Sequence, residues 1–377
     1  MNEELSLFRD NVRRFIDADI RPYYEQWERD EIFPRELWNK LGEQGLLCVD
    51  LPEQYSGIGA DFLFSMVILE EFSHANFGAV GGPMAVHSDI VAHYILNSGT
   101  DAQKERYLPG FITGDCVGAV AMTEPGAGSD LQGVRTTAKR DGDHWVINGA
   151  KTFITNGQHA DVVVVVARTN LDVPGARGTS LFLVDRDTPG FSRGRNLEKI
   201  GLHPSDTSEL FFEDVRVPHS AMLGEKDGGF IVLMKELPRE RLALAVGAVA
   251  AAEGMLEETA RYCKEREAFG APIARLQNTR FKLAEMATSA RVNRAFVEEC
   301  KQLFRDGLLD PATVSMAKLS TTEMQGEVAD GCLQLFGGYG YMKQYGISRA
   351  FVDARVQRIY GGTSEIMKEL ISRSVLA

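Results

Sequence analysis

A block of β-branched runs between residues 117 and 217, set between two long stretches whose apolar residues recur at helical spacing, most constrains what this chain can fold into. Within the block, residues 144–157 (HWVINGAKTFITNG) hold two extended runs around the turn pair Asn148-Gly149, and residues 160–169 (ADVVVVVART) form a β-branched run. Residues 179–187 and 208–217 continue the pattern with no helical spacing between them, which predicts a small antiparallel sandwich or barrel. Ahead of the block, Pro34 opens a helix whose apolar face is Leu37, Trp38 and Leu41 and which Gly45 can close; another is expected over residues 61–75. In a third, Val86, Ile90, Val91, Tyr94 and Ile95 recur at helical spacing before Gly99, and the aromatics of this region read as packing. Beyond Gly228 nothing else resembles a strand. Helix formers dominate residues 242–266 and 277–305, with Pro272 and Pro311 at expected breaks. A chain of 377 residues carries two or three domains. The expected fold is α+β: an all-α N-terminal domain over residues 1–116, a central β domain over 117–225 and a C-terminal helical bundle over 226–377.

Composition narrows the function classes. Against 53 acidic residues there are 41 basic ones, a net charge of −12, which disfavours nucleic acid or an anionic membrane as a bulk partner. No apolar stretch is long enough to span a bilayer, and the acidic start, MNEELSLFRD, carries no visible targeting address, so a cytoplasmic location is expected. Five scattered cysteines without a CxxC read as reduced thiols. Seven histidines show no HExxH or other close ligand pairing, so no metal is expected. A P-loop and a GxGxxG turn are also missing.

The chemistry must then sit in less common motifs. AMTEPGAGSDLQG (residues 121–133) runs from a strand end into a loop whose Gly126 and Gly128 permit left-handed backbone and close approach of N–H groups to a flat ring or phosphate. TFITNG (residues 152–157) sets Phe153 and Thr155 on one side of a strand, an aromatic face beside a hydroxyl. REAFG (residues 266–270), with Gln277 beyond, offers a guanidinium suited to phosphate oxygens. QLFGGYGYMKQYG (residues 334–346) lets two backbones meet closely, and in YGGTSEIMKE (residues 360–369) Thr363 and Ser364 can cap a final helix. Each has a plain counterpart: a Pro-Gly turn, an ordinary strand pair, a solvated arginine.

Taken in order, AMTEPGAGSDLQG, FITNG, REAFG, QLFGGYGY with Arg349 and Asp353, and IYGGTSEIMKEL make the chain resemble the acyl-CoA dehydrogenase family over essentially its whole length, departing at Gln344, where an acid is common. The resemblance implies a C-terminal four-helix bundle and FAD bound between it and the β domain, with part of the dinucleotide held by a neighbouring subunit of a homo-oligomer, a tetramer built as a dimer of dimers. By motif position, residues 120–129, including Met122, Thr123, Gly128 and Ser129, would line the flavin with Phe153, Ile154 and Thr155. Arg266, Phe269, Gln277, Gln334, Leu335, Gly337 and Gly338 would reach the pyrophosphate and adenosine side, and Thr363, Ser364 and Glu365 would complete the site.

The family reaction needs a carboxylate to remove the α-proton of an acyl-CoA. In many members that glutamate lies in the last motif, written YEGT, but here the position is Gly361. In the branch that includes the long-chain and isovaleryl types it lies on an earlier helix, just before an arginine. Here KELPRERLALA supplies Glu240 before Arg241, most like the long-chain type. Glu240 alone would read as a helix acid in surface ion pairs; joined to a glycine at the alternative position it becomes the expected base. The Gly361 backbone N–H, with a flavin ribityl hydroxyl, is expected to polarise the thioester carbonyl. Ser129, Pro238, Arg239, Arg241, Gly361 and Gly362 are the expected substrate contacts. The expected activity is dehydrogenation of a medium- to long-chain acyl-CoA to the trans-2-enoyl-CoA, with electrons passed to an electron-transfer flavoprotein. A branched-chain dehydrogenase, an oxidase on the same fold and a non-catalytic flavin-fold binding protein are the alternatives; Ile231, where the long-chain type has tyrosine, leaves the acyl group open.

Overall fold

The computed structural model describes residues 3–376, so the first two residues of the acidic start and the last residue of the expected bundle lie outside it. The helical N-terminal region comprises α1 (Glu3–Phe15), α2 (Tyr24–Asp30), α3 (Glu36–Glu43), α4 (Phe62–His74), α5 (Gly78–Ala85), α6 (Ala92–Ser98) and α7 (Asp101–Thr113), with a wide helical turn, Val86–Val91, joining α5 to α6. Starts follow capping chemistry. The Asp61 side chain accepts the Leu63 N–H ahead of α4, and Thr100 and Gln103 form a reciprocal capping box on α7. Helix α4 is buried from Ser65 to Phe72 because it lies between the N-terminal helices and the C-terminal bundle.

The central region holds β1 (Gly118–Ala121), β2 (Thr137–Asp141), β3 (His144–Thr155), β4 (Val162–Arg168), β5 (Thr179–Asp185), β6 (Phe191–Asn196), β7 (Thr207–Pro218) and β8 (Met222–Leu223). Their order is β6-β7-β3-β2-β4-β5-β8, with β1 on β4. The sheet is mixed rather than antiparallel, because β1 pairs with β4 in parallel and β2 touches β4 in parallel at Thr137 and Arg168. The reason lies in β4, which is apolar on both faces. Val162, Val164 and Val166 pack on the helical layer with Val91, Ile95 and Phe111, while Val163, Val165 and Ala167 pack inside the β region with Trp145 and Phe212.

Asn148-Gly149 is not a turn. Strand β3 runs straight through it, with a register shift against β7 between Ile147 and Gly149. The Asn148 amide and Asp214 brace this bulge, and a Cβ at Gly149 would lie 2.4 Å from Thr136 Oγ1. Residues 190–194 spell the GxSxG spacing of a hydrolase elbow, yet Ser192 pairs with Phe211 inside β6 and sits on no strand-to-helix turn.

The C-terminal region is built on α8 (Gly229–Glu265), followed by a two-residue hairpin, β9 (Glu267–Ala268) and β10 (Ala271–Pro272), then α9 (Gln277–Arg305), α10 (Pro311–Phe336), α11 (Gly346–Arg355) and α12 (Ser364–Val375). The hairpin is a departure from the expectation of no strand beyond Gly228; Phe269 and Gly270 turn it with positive φ. Pro311 sits at the start of α10, where Asp310 accepts the Ala312 and Thr313 N–H groups. Helix α8 packs on α9, α10 and α4. Its approach to α4 depends on small residues: a Cβ on Gly254 would lie 2.0 Å from the His74 carbonyl oxygen, and one on Gly247 3.1 Å from Ser73 Oγ. Because the first obstacle is backbone, Gly254→Ala is expected to force α4 and α8 apart and destabilise the protein by about 1–3 kcal/mol. An unchanged thermal midpoint would refute that reading of the crossing.

Candidate active site

A cavity of about 650 Å³ opens where the three regions meet. Its walls come from α4 to α6, from the loop after β1, from the end of β3, from α8 and from residues 360–373. Glu240 lies on this wall, on the second half-turn after Pro238, and is only 6% exposed. The Tyr94 hydroxyl, from α6, donates to its Oε1 at 2.5 Å. Burial pushes the Glu240 carboxyl up to about 7; the Tyr94 hydrogen bond opposes that rise, the like charge of Glu236 adds to it and Arg241 opposes it. Glu236 is in turn held by the Asn97 side chain at 2.9 Å.

The neighbours of Glu240 in sequence separate in space. Pro238 and Arg241 line the cavity, and Arg241 Nη1 donates to Ser315 Oγ at 3.4 Å. Arg239, an expected substrate contact, does not line it. Its guanidinium is taken up by a buried cluster behind the wall, donating to Asp50 Oδ2 at 2.6 Å and to Asp89 Oδ1 at 2.8 Å, so that only the Asp89 side of the cluster borders the cavity. His93 sits 3.2 Å from the other Asp50 oxygen, and Ser65 donates to Asp89. Helical residues step about 100° around the axis, and the cavity side of α8 takes Leu237, Glu240, Arg241 and Leu244 while Arg239 falls outside it. Burial acts to raise the Asp50 carboxyl, but His93 and Arg239 outweigh it and hold the group well below the ordinary carboxylate range.

Gly361 and Gly362 also line the cavity, both with positive φ, and stand against α8 at Leu244 and Arg241. A Cβ on Gly361 would lie 2.3 Å from Leu244 Cδ1, and the Gly362 carbonyl accepts from the buried Lys318 ammonium at 2.6 Å. Thr363, Ser364 and Glu365, expected at the cofactor, do not line the cavity. Thr363 accepts the Ile366 N–H as the cap of α12, the buried Ser364 hydroxyl is taken by Glu323 at 2.6 Å, and Glu365 is exposed.

Of the β-region residues, Met122, Thr123, Gly128, Ser129, Phe153, Ile154 and Thr155 all line the cavity. The loop is pinned from beneath. Buried Lys151 donates to Glu124 Oε1 at 2.9 Å and to the Met122 carbonyl at 3.0 Å, while Glu124 also accepts the Arg135 and Thr136 N–H groups. Gly126 and Gly128 do not use left-handed backbone, contrary to expectation; what they leave is open space, with nothing within 4 Å of a built Cβ. Phe153 takes φ 59° and is 68% exposed, so an aromatic side chain stands free at the cavity that Glu240 also lines. The exposed aromatic side chain and the unobstructed loop are of the kind that suits a flat heteroaromatic ring.

The remaining expected cofactor contacts lie elsewhere. Arg266, Leu335, Gly337 and Gly338 line a second, more open cavity with Tyr262 and Tyr339, the Arg266 guanidinium standing 5.3 Å from the Tyr339 ring centre. Gln277 and Gln334 are exposed, and Phe269 is 96% exposed at the hairpin tip. The chain matches the descriptions "Acyl-CoA dehydrogenase, N-terminal domain" over residues 2–115, "middle domain" over 119–215 and "C-terminal domain" over 227–376.

This chain belongs to the acyl-CoA dehydrogenase family. It is 51% identical over 377 residues to the long-chain specific acyl-CoA dehydrogenase of Rattus norvegicus mitochondria, covering 100% of this chain and 87% of that one. The crystal structure of an acyl-CoA dehydrogenase from Geobacillus kaustophilus superposes with a TM-score of 0.97 at 47% identity, covering 100% of this chain and 98% of that chain. A glutaryl-CoA dehydrogenase from Mycobacterium smegmatis, solved in complex with FADH2, superposes with a TM-score of 0.93 at 30% identity, covering 100% and 95%.

As an acyl-CoA dehydrogenase the chain holds one site residue that sequence reasoning passed over. Tyr94 fits the apolar spacing of its helix and so reads as core, and no local signal ties its hydroxyl to a carboxylate 146 positions away. Among the described residues no three His, Cys, Asp or Glu side chains gather as a metal site, and no helix is long and apolar enough to cross a membrane.

Proposed function

We propose that this protein is an FAD-dependent acyl-CoA dehydrogenase that converts a straight medium- to long-chain acyl-CoA to its trans-2-enoyl-CoA and passes the electrons to an electron-transfer flavoprotein. One observation carries the reading: a buried glutamate, poised near neutrality, shares a largely apolar cavity with Phe153, Thr155 and Gly361. FAD, when bound, supplies the two-electron acceptor for the β-hydrogen. The chain's own residues do the rest. Leu69, Val86, Ile90, Leu233 and Leu237 give the acyl chain apolar walls and exclude water. Glu240 takes the α-proton, which is weakly acidic until the thioester carbonyl is polarised; the Gly361 N–H is the donor proposed for that task. Lys318 restrains the same loop through the Gly362 carbonyl. The residues around Arg266 and Phe269 would serve the dinucleotide of a neighbouring subunit in a homo-oligomer, which fits their exposure and their distance from the cavity.

The test is anaerobic bleaching of the flavin's visible absorbance against a ladder of acyl-CoA lengths. Bleaching that strengthens from short to medium and long chains is expected, and no bleaching with any thioester would defeat the reading. A pH dependence follows as well. Only the ionised carboxylate can accept the proton, so kcat/KM is expected to be low in acid and to rise through a single ionisation near pH 7, where Glu240 titrates. An acid limb centred at the ordinary glutamate value of roughly 4.3 would show that burial does not govern the base.

A further inference from the structure

We propose that Tyr94 is the positioning residue of the base, its hydroxyl engaging one carboxylate oxygen of Glu240 so that the other is left to face the acyl group. The inference rests on the reading of Glu240 as the base. Three features carry it. The hydroxyl stands 2.5 Å from Oε1, and both side chains are buried on the cavity wall. The Tyr94 ring is itself fixed, packed in a core with Val91, Ile95 and Leu233, so the hydroxyl cannot follow the carboxylate if it swings. Burial, then the adjoining Glu240 charge, raise the phenol well above its ordinary value, so Tyr94 keeps its proton and remains a donor while Glu240 ionises.

The other charged groups around Glu240 cannot supply this restraint. On α8, Glu236 repels it and is occupied by Asn97, and Arg241 attracts it while its Nη1 reaches Ser315. Asp89, from the turn between α5 and α6, lines the cavity but is bound by Arg239 and Ser65. Lys318 on α10 donates to Gly362, and Arg373 on α12 lines the cavity without a bond to Glu240. Tyr94 is the donor that reaches the carboxylate. Its loss therefore both frees the base to rotate and removes a stabilising bond from its charged form.

The experiment is Tyr94→Phe in the FAD-loaded enzyme, with the rate of anaerobic flavin reduction by a saturating acyl-CoA followed from pH 5 to 9. Loss of a hydrogen bond to a charged group is expected to move the acid limb up by about one to two pH units. The rate at pH 6 should then fall about tenfold or more, with a smaller loss on the alkaline plateau. A purely structural role would lower the rate at every pH and leave the limb where it was; that result would overturn the inference. Should the phenylalanine variant fail to fold, 3-fluorotyrosine incorporated at position 94 keeps the shape and strengthens the donor. It should move the limb to lower pH, and an unmoved limb again overturns the inference. Glu240→Gln run in parallel separates the two readings: if it still reduces the flavin, the base assignment has failed; if it does not and the limb is unmoved, only the role of Tyr94 has.

Discussion

Glu240→Gln is expected to slow flavin reduction by acyl-CoA about a thousandfold while leaving the fold and substrate binding close to those of the parent. A positioned general base contributes roughly 10²- to 10⁴-fold, and an amide has no comparable basicity. The substitution keeps the size of the side chain, and the amide oxygen can still accept from Tyr94, so the cavity wall should hold its shape. The result to look for is a collapse in the rate with little change in the acyl-CoA concentration that half-saturates it. That split marks an interaction made in the transition state rather than in binding. Near-normal reduction would mean that the α-proton leaves to another group.

The second large effect is expected one residue away and is of a different kind. Arg239→Met should lower stability by about 3–5 kcal/mol, because it leaves Asp50 and Asp89 buried beside an apolar side chain of similar length. The fall should be visible as a lower thermal midpoint, and it should depend on pH. Asp50 is held below its ordinary value, so the stability that its charged form contributes is fully present above that ordinary value and is lost as pH falls through the lower folded one. In the variant that support is weakened, so the gap between parent and variant should be wide at neutral pH and narrow in acid. A constant gap at all pH values would place the damage in packing alone. The cluster also fixes the first part of α8 against the N-terminal helices, so some loss of rate should accompany the loss of stability.

How much of this was legible in the chain depended on the range over which each signal acts. Motifs that combine a local turn with a fixed spacing, such as residues 121–133 and 360–369, pointed to the cavity, because the residues that line it there are neighbours in sequence. Glu240 was found by contrast with Gly361, a comparison between positions, not by its own surroundings. Tyr94 and the partners of Arg239 were not legible, since apolar spacing on a helix gives the same pattern whether or not a hydroxyl meets a distant carboxylate. The parallel neighbour of β4 left a trace that was available: a valine run buried on both faces is what a parallel-paired strand requires. Asn148-Gly149 misled for a physical reason, as the pair suits backbone that departs from a regular strand and so serves a bulge as readily as a hairpin turn.

The contact between Gly361 and Leu244 bears on whether a base could be placed at position 361. At position 361 this chain has a left-handed glycine with an aliphatic side chain pressed where a Cβ would stand. A single substitution to glutamate would meet a left-handed backbone penalty of roughly 1–2 kcal/mol and would have to displace Leu244 into the cavity. Moving the base in one step is therefore uphill. A smaller side chain at 244 would remove the steric part of that barrier and leave the backbone part. Positions 244 and 361, more than a hundred residues apart in the chain, are thus sterically coupled, and a larger side chain at 361 should be tolerated better when 244 is small.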